Sequence, residues 1–200
     1  MTQNPAPSAC YTSRDMSTTE MAGSTPAPAP APVPWWQIVH QRFKANGISI
    51  VVHVPDAALV GLIGACEADP EIEVLQLTRE EEGVGILSGA YLGGKRGALL
   101  MQSSGLGNCI NALGGLPMAY RIPFLLLITP RGRLSEFNPS QVPAGRATPK
   151  LLDALGIETA TLERADEVAT LVDQALYSAF STSQPVALIA STLLTGGKRV

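Results

Sequence analysis

The sequence predicts a doubly wound α/β fold, with about six parallel strands and helices on both faces, and three observations carry the prediction. From Trp35 onward, short runs rich in Val, Ile and Leu alternate with helix-length segments. Strands of that composition are buried on both faces, as in parallel sheets whose crossovers are helices. Apolar residues make up 46% of the 200-residue chain and charged residues 16%, enough for one sizeable core. The breaks between segments fall on Gly, Pro and Asp, which end helices and turn chains.

Residues 1–34 stand apart. Thr25-Pro-Ala-Pro-Ala-Pro-Ala-Pro-Val-Pro34 alternates proline too densely for helix or sheet to propagate, so a disordered or polyproline tail is expected. A helix from Trp35 to Asn46 should then end at Gly47. Ile48–His53 reads as a buried strand, and a helix opening at Pro55-Asp56 should run to Ala68, where Asp69-Pro70 breaks it. Strand Glu73–Leu77 and a helix from Arg79 to Leu92 follow. Strand Gly97–Gln102 is expected to lead into a tight Gly-rich turn, Ser103 to Asn108, and then a helix to Arg121. The most apolar strand is Pro123–Thr129. A polar loop from Pro130 to Ala147 comes next, with Thr148-Pro149 expected to cap a new helix. Strand Glu158–Leu162, a helix from Asp166 to Phe180 and strand Val186–Ser191 complete the domain.

A net charge of −3 offers no electrostatic footprint for nucleic acid. Cys10, Cys66 and Cys109 are unclustered and odd in number, which suits reduced thiols in a cytoplasmic protein better than disulfides or zinc. No apolar run reaches the length of a membrane span, and no basic start followed by an apolar run marks a signal peptide. Sheets of the predicted kind bind ligands at the carboxyl ends of their strands. Function is therefore sought after Val52, Leu77, Gln102 and Thr129.

Three glutamates open the helix after the second strand. Thr78 and Glu81 have capping-box spacing, so Glu81 is expected to reach back to the cap. Glu82 is expected to project into solvent. Glu80 shares a helical face with Gly83, Val84, Leu87 and Tyr91, the stripe that should meet the sheet. A carboxylate at the end of a buried stripe needs a specific partner, either a structural hydrogen bond or a functional one.

Beyond these patterns, three segments carry a resemblance. Glu80-Glu-Glu-Gly-Val-Gly-Ile, Ser88-Gly-Ala-Tyr-Leu-Gly-Gly-Lys95 and Met101-Gln-Ser-Ser-Gly-Leu-Gly-Asn108 resemble the α subunits of sulfopyruvate decarboxylases. Phosphonopyruvate decarboxylases look similar over the same stretch. The likeness extends through Val54-Pro-Asp56, Arg131-Gly132, Gln141, Gly145-Arg-Ala-Thr148 and Leu151–Gly156. It implies a pyrimidine-binding domain of a thiamine diphosphate enzyme, in which Glu80 is the catalytic acid that hydrogen-bonds the aminopyrimidine. In such enzymes a Gly-Asp-Gly motif with a downstream Asn holds Mg²⁺ and the diphosphate. This chain has no Gly-Asp-Gly. The resemblance therefore implies a β subunit that carries this half of the site, in a hetero-oligomer, and no metal ligand on this chain.

The same resemblance extends the cofactor-binding set from Glu80 to Gln102, Gly105 and Asn108, against the simpler reading of a strand–helix turn capped by Asn108. Ser104, Arg131, Arg133, Gln141 and Asp56 form the expected substrate-binding set. Arginine's planar fork suits a sulfonate, although surface arginines on a mobile loop would look the same in sequence. Val142 stands where some phosphonopyruvate relatives carry histidine, which leans toward sulfopyruvate. Asp56 also reads as an N-cap, His53 as a structural strand-end residue, and Tyr91 and Trp35-Trp36 as core or interface. The competing readings are a decarboxylase subunit for another 2-oxo acid and a non-catalytic nucleotide-binding or regulatory module. Against the latter, neither GxGxxG nor GxxxxGK[ST] follows the first strand.

Overall fold

The computed structural model describes residues 32–133 and 136–196. All but the last three residues of the proline-rich segment lie outside this range, as do the expectations about it. By compactness the chain divides after Pro32, and the architecture below is that of the unit from Val33 onward.

Six strands, all pairing in parallel, form one sheet in the order β2-β1-β3-β4-β6-β5. They are β1 (Ile48–His53), β2 (Glu73–Gln76), β3 (Arg96–Gln102), β4 (Leu125–Thr129), β5 (Glu158–Leu162) and β6 (Val186–Ala190). The helices are α1 (Trp35–Ala45), α2 (Val60–Glu67), α3 (Glu80–Leu92), α4 (Ser103–Leu113), α5 (Val142–Ala154), α6 (Val168–Thr182) and a single turn, α7 (Thr192–Thr195). A π-helical turn, Gly114–Met118, extends α4 around Pro117, whose missing N–H interrupts the regular ladder.

Alternate residues of the buried strands feed two separate cores. Val51, Leu100, Leu127 and Leu188 face one side with α1, α2 and α6; Val52, Leu99, Leu126 and Ile189 face the other with α3 and α4, joined by Leu152 of α5. This division follows from right-handed crossovers, because the chain moves one way along the sheet from β1 to β2 and the other way from β2 to β3. The loops after β1 and β3 consequently leave the sheet toward opposite faces. The crevice between them is the topological switch point where doubly wound sheets bind ligands.

Every expected strand is present, and four local expectations are corrected. The segment Ser103–Asn108 is not a turn: α4 begins at Ser103, immediately after β3, and Asn108 lies exposed within it rather than capping it. The Pro130–Ala147 loop is shorter than expected, since a 3-10 turn occupies Pro139–Gln141 and α5 starts at Val142. Thr148-Pro149 is therefore internal to α5, where the Thr148 hydroxyl donates to Ala144 O at 2.9 Å. Finally, α2 starts at Val60 after a turn, not at Asp56.

Gly145 explains why a segment so rich in breakers is helical. A Cβ there would overlap the carbonyl of Arg131, so only glycine lets the strand-end loop lie directly on the first turns of α5. Tertiary contact outweighs local propensity at this position.

Candidate active site

Glu80 is the first residue of α3, and Leu77 N donating to His53 O at 2.8 Å holds that helix start against the end of β1. Glu82 is exposed as expected, but it, rather than Glu81, receives the bond from the cap region. Glu82 accepts from Thr78 N at 3.2 Å, and Glu81 pairs with Arg79 at 3.1 Å. The cap lies at Arg79, one residue later than Thr78, and makes no side-chain cap bond, so no capping box forms.

Glu80 itself is 8% exposed and, among the described residues, accepts no hydrogen bond. Its carboxyl lies against the backbone of Gly105 in the first turn of α4, where any Cβ would collide with it. One turn further along α4, burial pushes the Cys109 thiol up to about 12, and the charges of Glu80 and Glu81 push the same way. A carboxylate that accepts from no side chain or amide of its own protein keeps its acceptor capacity for water or a ligand.

Three more polar side chains are incompletely satisfied. His53 is 3% exposed with neither ring nitrogen hydrogen-bonded, and burial lowers its pKa. Gln102 Oε1, at the end of β3, is buried without a partner, and so is Gln141 Oε1 ahead of α5. Both glutamines were singled out by sequence as site residues, whereas His53 was read as a structural strand-end residue.

A second cluster lies around the ends of β1 and β4. Asp56, Thr129, Arg131, Arg133, Glu136 and Phe137 contribute to the wall of a cavity of about 990 Å³, closed on another side by Trp35 and Trp36. Glu80 and Gln102 do not line it. Thr129 Oγ1 donates to Asp56 Oδ2 at 2.5 Å, and Arg131 N donates to Ser103 Oγ at 2.9 Å, tying the loop to the start of α4.

Arg131 is not an open fork. Its Nε and Nη2 donate to the two oxygens of Glu136 at 2.8 and 2.7 Å, and Gly132 N and Asn138 N donate to the same carboxylate at 2.9 and 3.0 Å. The Arg131 guanidinium beside Glu136, with the two backbone donors, holds that carboxyl down at about 2. The Asp56 charge lies close enough to raise Arg131 as well. Arg133 is exposed, Ser104 is half-buried, and Asn108 faces away from the core. Glu136 and Thr129 were missed by sequence reasoning. An acid in a polar loop has no periodic signature, and Thr129 reads simply as the end of an apolar strand.

No family model matches the chain. Among curated proteins, the α subunit of sulfopyruvate decarboxylase from Methanococcus maripaludis is 40% identical over 157 residues, spanning 78% of this chain and 94% of the relative. A phosphonopyruvate decarboxylase from Streptomyces viridochromogenes is 37% identical over 126 residues, 62% of this chain but only 32% of that longer protein. Among solved structures, a 2-oxoglutarate:ferredoxin oxidoreductase from Magnetococcus marinus superposes with a TM-score of 0.64 at 14% identity, covering 82% of this chain and 29% of that one. This last likeness concerns the fold. The chain is a doubly wound α/β subunit of a decarboxylase. More particularly, it belongs to the sulfopyruvate decarboxylase α-subunit family.

Proposed function

We propose that this chain is the α subunit of a thiamine diphosphate-dependent enzyme that converts 3-sulfopyruvate to sulfoacetaldehyde and CO₂, active with a β subunit that brings the Mg²⁺ and diphosphate half of the site. The observation that carries the reading is Glu80: a buried carboxylate at a helix start, without a donor, against a glycine that leaves room for nothing larger. An aminopyrimidine ring presents amino N–H groups; Gln102 Oε1 is buried without a donor and the Glu80 carboxylate accepts from no described residue, so the residues present fit the group.

In this reading Glu80 holds and shares a proton at the pyrimidine ring, the part played by a positioned acid–base group. Thiamine diphosphate, when bound, supplies the nucleophilic carbon and the electron sink for decarboxylation. Gly105 sets the approach of α4 so that the Glu80 carboxyl stays at its post. Asp56 and Arg133 face the cavity in which the 2-oxo acid would lie, and Arg131, in the same wall, is engaged by Glu136. Ser104 and Gln141 stand as further substrate contacts, and Asn108, being exposed on α4, is assigned to the side that meets the partner or its cofactor.

The test is decarboxylation by the two subunits together with Glu80→Gln in place. A fall in kcat of about 10²-fold or more is expected, with α–β association retained. Near-normal turnover would overturn the assignment. Phosphonopyruvate is the alternative substrate, because its decarboxylases are related over the same stretch. Comparing kcat/KM for the two acids decides between them, and a clear preference for the phosphonate would replace the sulfonate.

A further inference from the structure

Asp56 does not take the role its place in the chain offers. An acid between a strand and the following helix ordinarily caps that helix. Here α2 begins only at Val60, preceded by Leu59, with no side-chain cap bond. Asp56 contributes just its carbonyl to the intervening turn, accepting from Leu59 N at 2.9 Å. The carboxylate instead crosses the end of β3 to reach β4, two strands away, where Thr129 Oγ1 donates to Oδ2. A cap and this long-range bond are each worth roughly 1 kcal/mol. Stability alone therefore gives no reason to prefer the distant partner. What the distant partner does provide is a location, since it sets the carboxylate in the wall of the cavity beside Arg131 and Arg133.

Thr129 is suited to fix such a location. It ends a strand buried along its whole length, is 3% exposed, and as a β-branched residue has a stiff χ1. Its hydroxyl has one proton to give. Asp56 receives it at the shorter distance, with Met101 O at 3.4 Å the other acceptor among the described residues. No other hydrogen bond to the Asp56 carboxylate is present among the described residues, so its remaining acceptor capacity is open.

We propose that Thr129 is a positioning residue, whose hydroxyl orients the Asp56 carboxylate toward the 2-oxo acid in the cavity between the β1 and β4 loops. The inference rests on the reading of Asp56 as a substrate-facing residue and goes beyond it. Thr129, itself only 3% exposed in the cavity wall, acts through Asp56.

A double-mutant cycle on the assembled two-subunit enzyme tests this. Thr129→Val removes the donor at constant shape and is expected to lower kcat/KM about tenfold, the scale of one lost hydrogen bond near 1.4 kcal/mol. Thr129→Ser, which keeps the donor, should recover most of that loss. In an Asp56→Ala background, Thr129→Val should cost nothing further, because the group it orients is gone. Asp56→Ala strands no donor, since Met101 O remains in reach of the Thr129 hydroxyl. Thermal unfolding of each variant supplies a readout independent of turnover, and Thr129→Val should leave the midpoint within about 3 °C of the parent. If Asp56→Ala turns over normally, the substrate-facing reading of Asp56 falls and this inference with it. If Asp56→Ala is impaired but Thr129→Val adds its full loss on top, or lowers kcat/KM only in step with stability, the reading survives and the inference alone is wrong.

Discussion

Two glutamates stand withdrawn from solvent at the carboxyl side of the same sheet, and their surroundings are opposite. Glu136, with its side chain 6% exposed, receives four hydrogen bonds, two from Arg131 and two from backbone amides. Glu80, at 8%, receives none among the described residues. A carboxylate whose acceptor sites are filled has little left to offer a ligand, so it serves the loop that it fastens. One that is buried and unfilled lowers the stability of the folded chain and is explained by a group yet to arrive. Counting donors separates them.

The contrast predicts opposite outcomes for stability and turnover. The largest effect is expected at Glu80, where Gln substitution lowers kcat by about 10²-fold or more. Gly105→Ala should do comparable damage by displacing the Glu80 carboxyl. Steady-state kinetics of the two variants would show whether the carboxyl's place matters as much as its presence. Stability should move the other way. Glu80→Leu should raise the midpoint of thermal unfolding or leave it unchanged, because removing an unsatisfied buried polar group is neutral or stabilising.

Next in size comes Glu136→Ala, which strands Arg131 and two amides. A cost of about 3 kcal/mol is expected, measured by denaturant unfolding of the chain. If that variant is as stable as the parent while Glu80→Leu is the weaker one, the assignment of roles must be exchanged. The smallest effect concerns pH. The folded-state value of Glu136 lies below its ordinary 4.5, at about 2. Its stabilisation is thus fully present above pH 4.5 and is lost as pH falls toward 2. The parent should lose stability relative to Glu136→Gln across that window. At neutral pH the difference between them should be constant.

The inner strands β1, β3, β4 and β6 were legible because burial on both faces leaves runs rich in Val, Ile and Leu, while the edge strands β2 and β5, largely exposed, were read from their place between helices. Glu80 was distinguishable from its neighbours for a similar reason, since the 3.6-residue period placed it alone on the stripe that faces the sheet. Three things depended on contacts that no local pattern encodes. The start of α4 at Ser103 was read as a turn because Gly105 and Gly107 weaken helix propensity, and at Gly105 the reason for the glycine is the Glu80 side chain from another helix. The start of α5 at Val142 was hidden by Pro143, Gly145 and Pro149, although Gly145 is there to admit the Arg131 carbonyl. The engagement of Arg131 was invisible because its partner, Glu136, follows it in a loop with no periodicity. Sequence reported the residue types needed for anion binding and not that one of the cations was already spoken for.

The missing donors at Glu80 also have a thermodynamic reading. Any molecule that supplies them binds the folded chain and not the unfolded one, so by mass action it raises the unfolding midpoint with its concentration, by about 2.7 kcal/mol at a hundredfold excess over Kd. Variants at Glu80 should lose part of that ligand-dependent rise even where their unliganded stability is improved. A melting curve taken with and without the partner subunit and cofactor would then gauge occupancy of the site without any turnover being measured.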